Sequence, residues 1–168
     1  MDFTIAYKTE NELFRHFGMA SEVFEKHLRE FIQSNILFAE REIKDRTPQG
    51  VMGMQGGLRG RIFSEMRGTP ASPIGIVSAP SEYAEVVEEG RRPGQRMPPS
   101  SALMTWVEKK LGVPEEHAAG VAFVIARSIG RKGFPGAHMF REGVKATMAH
   151  MEHEAAQLGI KIKSDLEK

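Results

Sequence analysis

The sequence predicts an α+β fold, a small antiparallel β-sheet packed against a long N-terminal helix and C-terminal helices. Three observations carry that expectation. Helical periodicity dominates residues 19–46 and 100–158. Between them, residues 48–99 hold seven of the nine prolines and nine of the seventeen glycines. Within that turn-rich middle, short apolar runs are bounded by turn residues, as strands are. An unstructured stretch of such length is uncommon in a compact domain, so the middle reads as strands joined by turns. With 168 residues the chain fits one domain. We place it at residues 1–159 and expect a polar tail at 160–168.

Residues 2–7 alternate polar and apolar and predict a short strand with Phe3, Ile5 and Tyr7 on one face. Thr9 and Glu12 have capping-box spacing for a helical turn toward Gly18. From about Met19 to Arg46 an apolar stripe of Phe24, Leu28, Phe31, Ile32, Asn35, Ile36, Ala39 and Ile43 runs without Gly or Pro. Thr47-Pro48 ends it, because the residue before proline disfavours helix. A helix of about 28 residues spans about 42 Å, long for so small a domain, and is expected to project and need a partner.

Gly50 to Gly57 reads as a loop. Arg59–Met66, with Ile62 and Phe63 as buried anchors, and Ile74–Ala79 read as strands of a hairpin with a long tip at residues 68–73. Glu82 to Glu89 is a short helix stopped by Gly90, or a strand. Residues 91–99 form a basic, proline-containing loop. Ser100 or Ser101 caps a helix over Ala102–Leu111, and Gly112 stops it. Pro114 opens a helix to about Ile129, Gly130 to Gly136 is a basic loop, and a last helix covers about Ala137–Leu158.

Composition removes whole classes of function. The absence of cysteine excludes disulfides, thiolate metal sites and a cysteine nucleophile. A formal net charge of +1 argues against a surface that grips nucleic acid everywhere, though not against local basic patches. No apolar run approaches the roughly 18 to 20 residues of a membrane helix, and the first residues lack the layout of a signal peptide. No membrane partner is expected.

The search for reaction chemistry finds no catalytic, cofactor-binding or metal-ligating set. The glycines at 50–60 lack the Gly-Lys-Ser/Thr that brings a phosphate loop into a helix. His150 and His153 are three residues apart, not the four of a zinc-protease helix, so with Glu154 they read as a solvated helix face. His117 reads as a surface residue and His138 as a capping or packing one. Glu88-Glu89 and Glu115-Glu116 are adjacent pairs whose side chains diverge, so neither implies paired acid–base catalysis. Two basic clusters remain, Arg91, Arg92 and Arg96, then Arg127, Arg131 and Lys132, each beside a Gly/Pro loop. They are ordinary solvated loops or loops facing phosphate or a partner.

Several segments, in order, resemble the HK97 gp10-like tail-completion proteins of tailed-phage necks. They span about Arg46 to Gly143: Thr47-Pro48 after a long helix, Gly57-Leu58-Arg59 before a strand, and Tyr83-Ala84 through Glu88-Glu89-Gly90. After these come the Pro99–Gly112 helix, then Ala122–Ile129 with Lys132-Gly133-Phe134-Pro135-Gly136 and Phe140. Two departures stand out: Val51–Gly56 lengthens one loop, and Gly90-Arg91 stands where Gly-Thr is usual.

The resemblance implies a non-enzymatic virion protein, assembled in the bacterial host cytoplasm. Identical subunits would form a ring at the head–tail junction, bridging head connector and tail around the DNA channel. A connector or tail terminator of the same virion, or a small DNA-binding module using the basic loops, are the alternatives.

Overall fold

The computed structural model describes residues 2–5, 21–48 and 57–166. The expectations for residues 6–20 and for the loop at 49–56 lie outside the described residues. The fold is α+β. Its elements are β1 (Asp2–Ile5), α1 (Ser21–Arg46), α2 (Gly57–Arg61), β2 (Phe63–Thr69), β3 (Ser72–Ser78), α3 (Glu82–Glu89), β4 (Gly90–Arg91), α4 (Ser101–Leu111), α5 (Glu115–Lys132), β5 (Phe134–Pro135) and α6 (Met139–Leu166).

The three-stranded antiparallel sheet has order β1-β3-β2, and β4 and β5 form a separate two-stranded ribbon. The hairpin tip is tight rather than long, because Thr69 pairs with Ser72 and only Pro70-Ala71 lie between. Ser72 N–H donates to Thr69 Oγ1 at 3.2 Å and pins the turn. Among the described residues β1 pairs only with Gly75–Ser78, so Pro73 has β2 alone beside it, a place in a sheet where proline is tolerated. Gly75 and Val77 are buried and Ile74 and Ile76 half-buried, the period-two alternation of a strand with one covered face. α1 lies directly on that face: a Cβ at Gly75 would come within 2.0 Å of Ile36 Cγ2.

The stripe predicted on α1 is the core. Leu28, Phe31, Ile32, Ile36, Ala39 and Ile43 are buried with Leu58, Ile62, Val77, Met139 and Phe140. Asn35 joins them, its side-chain amide donating to Phe31 O at 2.7 Å. The expected projection of this helix is overturned, since α6 runs antiparallel beside it from Thr47 back to His27. Thr47 at the end of α1 donates to Met139 Sδ at 3.1 Å, and at the other end His27 Nε2 meets Asp165 Oδ2 at 2.9 Å. Between these ends, Gly143 presses on Ile43 and the Phe38 ring stacks on His150, centroids 4.0 Å apart.

Other boundaries shift for physical reasons. The strand expected at Arg59 begins at Phe63, because Leu58 and Ile62, one helical turn apart, are both buried. Phe63 is exposed instead of anchoring the sheet. Residues 82–89 are the helix of the two alternatives, with Ser81 Oγ accepting from Tyr83 N–H at 3.4 Å. Residues 160–166, expected in a polar tail, are the last turns of α6. Leu158 and Ile162, 8% and 5% exposed, continue the core there.

Helices α4 and α5 form a hairpin with its own cluster of Val107, Ala118 and Ala122, flanked by Leu103, Met104 and Trp106. Gly112 ends α4 in the left-handed region, as the sequence predicts. The β4–β5 ribbon joins this hairpin to the body.

Candidate functional site

The two basic clusters, separated in sequence, meet at the base of the α4–α5 hairpin. The ribbon brings them there, with Arg91 paired to Phe134 and Gly90 to Pro135. Gly133 makes the approach feasible. Its φ of +66° is open to glycine, and a Cβ there would lie 2.0 Å from Arg91 O. Its N–H donates to Ile129 O at 2.8 Å and closes α5. Helix α5 therefore runs to Lys132 rather than stopping at Ile129. Gly130 sits inside it because the chain at Gln95 and Met97 crosses there, a Cβ at 130 meeting Met97 Cβ at 2.9 Å.

The result is one basic platform. Arg92, Arg96, Arg127, Arg131 and Lys132 are exposed, and Arg91 is half-buried with Nη2 donating to Arg96 O. Arg91 Nε is buried with no hydrogen-bond partner among the described residues. Among the described residues none of the six enters an ion pair. No Asp or Glu occurs from residue 90 to 107 or from 117 to 141. Six cations therefore stand together in a chain of formal charge +1, whose remainder carries −5. Arg131 and Lys132 also complement the dipole at the end of α5. Val124, Arg127, Ser128, Arg131 and Lys132 line a shallow depression of about 440 Å³ on the outer face of α5.

Beside the platform lies a polar knot built on Glu88, whose capping role the sequence does not show. Glu88, 2% exposed, accepts from Phe140 N–H at 2.9 Å through Oε2 and from Arg141 N–H at 3.0 Å through Oε1. Its carboxylate caps the N-terminus of α6 from 52 residues away. His138 N–H donates to Glu88 O, Ala137 N–H to Val87 O, and His138 adopts a φ of +50° at the junction. Adjacent Glu89 is exposed and meets Arg141 at 3.4 Å. The two carboxylates diverge, as the sequence implied.

No family model, curated protein or solved structure matches the chain.

The remaining candidates disperse. His150 is engaged by Phe38, His153 is exposed, and Glu154 lines a different cavity of about 180 Å³ with His27, Glu30 and Ser34. Among the described residues no group of three His, Asp or Glu is placed to hold a metal ion. Nor, among them, is any helix long and apolar enough to cross a membrane. What the platform offers chemically is charge presented without base-reading geometry, which suits phosphate or an acidic surface.

Proposed function

We propose that this chain is a non-enzymatic structural protein of a tailed-phage virion. It forms a ring of identical subunits at the head–tail junction, between head connector and tail, around the DNA channel. The ordered set of segments that resembles the tail-completion proteins carries the reading. It is supported by the way two of those segments, Tyr83–Gly90 and Lys132–Phe140, are joined through Glu88 and the ribbon into one unit. Strands β1 and β2 each have one edge unpaired among the described residues, and such edges are surface for neighbours. Rings close through head-to-tail contacts between unlike patches of one chain.

The test is a phage lacking this chain. Filled heads and finished tails that fail to join, with a symmetric ring of the purified protein in electron micrographs, are expected. Normal infectious particles from a clean deletion refute the reading.

A second reading, a DNA-binding module, draws on the convergence into one platform of six cations that enter no ion pair among the described residues. It predicts salt-dependent binding of duplex DNA that falls when Arg91, Arg92 and Arg131 are replaced by alanine. Indifference to DNA at low salt removes it.

A further inference from the structure

The outer face of α5 carries a pattern that a basic platform alone does not account for. Glu116, Gly120, Phe123, Val124, Arg127 and Arg131 fall within a strip about 100° wide on the helix. All six are exposed. Phe123 is 47% exposed and Val124 65%, an apolar centre on a helix whose other face already packs on α4. The strip is acidic at its N-terminal end, apolar in the middle and basic at its C-terminal end.

That order is its own complement when reversed. With a second α5 laid antiparallel about a two-fold axis between residues 123 and 124, Glu116 faces the second copy's Arg131. In the same register Phe123 faces the second copy's Val124, and Gly120 faces its Arg127. Among the described residues a Cβ at Gly120 would touch nothing within 4 Å, so the glycine leaves a notch for the long arginine. The second copy's Arg127 also lies one turn from Arg131, so each Glu116 is bracketed by two guanidinium groups. Helices in such contacts sit about 8 to 10 Å apart, close enough for these side chains to meet.

We propose that this face of α5 pairs with the same face of a second copy of this chain, antiparallel and two-fold. The charge complementarity of the strip with its own reverse identifies the occupant. The contact is isologous, so it is separate from the head-to-tail contact of a ring and does not rest on the phage reading.

The cysteine-free chain makes the test clean. Val124→Cys is the reporter, cross-linked by a short bis-maleimide. The expected result is a covalent dimer, with cross-linking falling about tenfold or more when Glu116→Arg or Arg131→Glu is added to the reporter. Mixing the two reversed proteins is expected to restore it, since each then meets opposite charge on both sides of the axis. A folding defect is not repaired by mixing, so restoration reports the pairing itself.

Three results overturn the proposal. They are no cross-link at any concentration, a cross-link indifferent to both reversals, and loss that mixing leaves unrepaired. If nucleic acid is the true occupant, duplex DNA binding instead falls with Arg131→Glu and rises with Glu116→Arg while no cross-link forms.

Discussion

Replacing Glu88 by glutamine changes one oxygen for an amino group inside a site with no room for error. The carboxylate is 2% exposed and its two oxygens each take one backbone N–H of α6, at 2.9 and 3.0 Å. Glutamine keeps the shape and one acceptor, but its NH₂ must then face an N–H donor. A charge-assisted hydrogen bond contributes about 1.5 to 3 kcal/mol, and the charge at a partly buried helix N-terminus up to about 2 kcal/mol more. We expect Glu88→Gln to cost about 3 kcal/mol, which lowers Tm by roughly 6 to 12 °C in a domain this size. Urea denaturation supplies the free energy, and hydrogen exchange at the Phe140 and Arg141 amides shows whether the loss is at the cap. Glu89→Gln, next in sequence but exposed and 3.4 Å from Arg141, is the control and should change stability by less than about 0.5 kcal/mol. If the two substitutions prove equal, or the two amides exchange as in the parent protein, the capping role assigned to Glu88 is wrong.

Three further outcomes follow from the same structure. Glu40, on α1, accepts from Lys44 and from both Ser64 N–H and Oγ. Burial alone would raise its pKa, but these hydrogen bonds and the Lys44 charge hold it below its ordinary value of 4.5. Its contribution is therefore full above that value and is lost as pH falls through the depressed one. The stability gap between parent and Glu40→Gln should be constant near neutrality and close in acid. Ile162→Ala, in the stretch first read as a tail, should cost about 2 to 4 kcal/mol in denaturation, because the side chain is 5% exposed in the core; no change would mean that the last turns of α6 do not pack. Gly133→Ala sets a Cβ 2.0 Å from Arg91 O at a φ of +66°. It should lower Tm by several degrees and speed exchange in residues 130–136 while Glu88 still caps α6.

The helices were legible because their signal is local. The α1 stripe, the Thr47-Pro48 stop and the Gly112 stop each depend on residues within a turn or two, and each stands where the pattern put it. The end of α6 was also written in the sequence. Met151, Ala155, Leu158 and Ile162 keep the helical spacing, but the polar composition of residues 160–168 reads as a tail. What was not legible is contact between distant segments. Nothing in Gly130 announces that Met97 will cross it, and a two-residue ribbon is too short to leave a period. The six basic residues were visible as two clusters, and their union depends on Gly133 meeting Arg91. Glu88 was legible as half of a diverging pair, but its role was not, since a carboxylate 52 residues from the helix it caps has no pattern to betray it.

The two hydrophobic clusters differ in what they can hold. Among the described residues the body buries sixteen apolar ones, Phe31, Ile32, Ile36, Ile43 and Met139 included, whereas the α4–α5 hairpin fully buries Val107 and three alanines, Ala118, Ala122 and Ala126. At roughly 25 cal/mol per Å² the alanines contribute little, so the hairpin depends on half-buried Leu103, Met104 and Trp106 and on its ribbon. It should open at lower free energy than α1 or α6, and its amides should exchange first in native conditions. A partner on the outer face of α5 binds only the closed hairpin, and at a hundred times its dissociation constant stabilises it by about 2.7 kcal/mol. Exchange in residues 101–132 should therefore slow with protein concentration if copies pair, or with duplex DNA if phosphate is the ligand, while α1 stays unchanged. Exchange in that segment as slow as in α1 at every concentration would show that the hairpin is held by something other than its own small core.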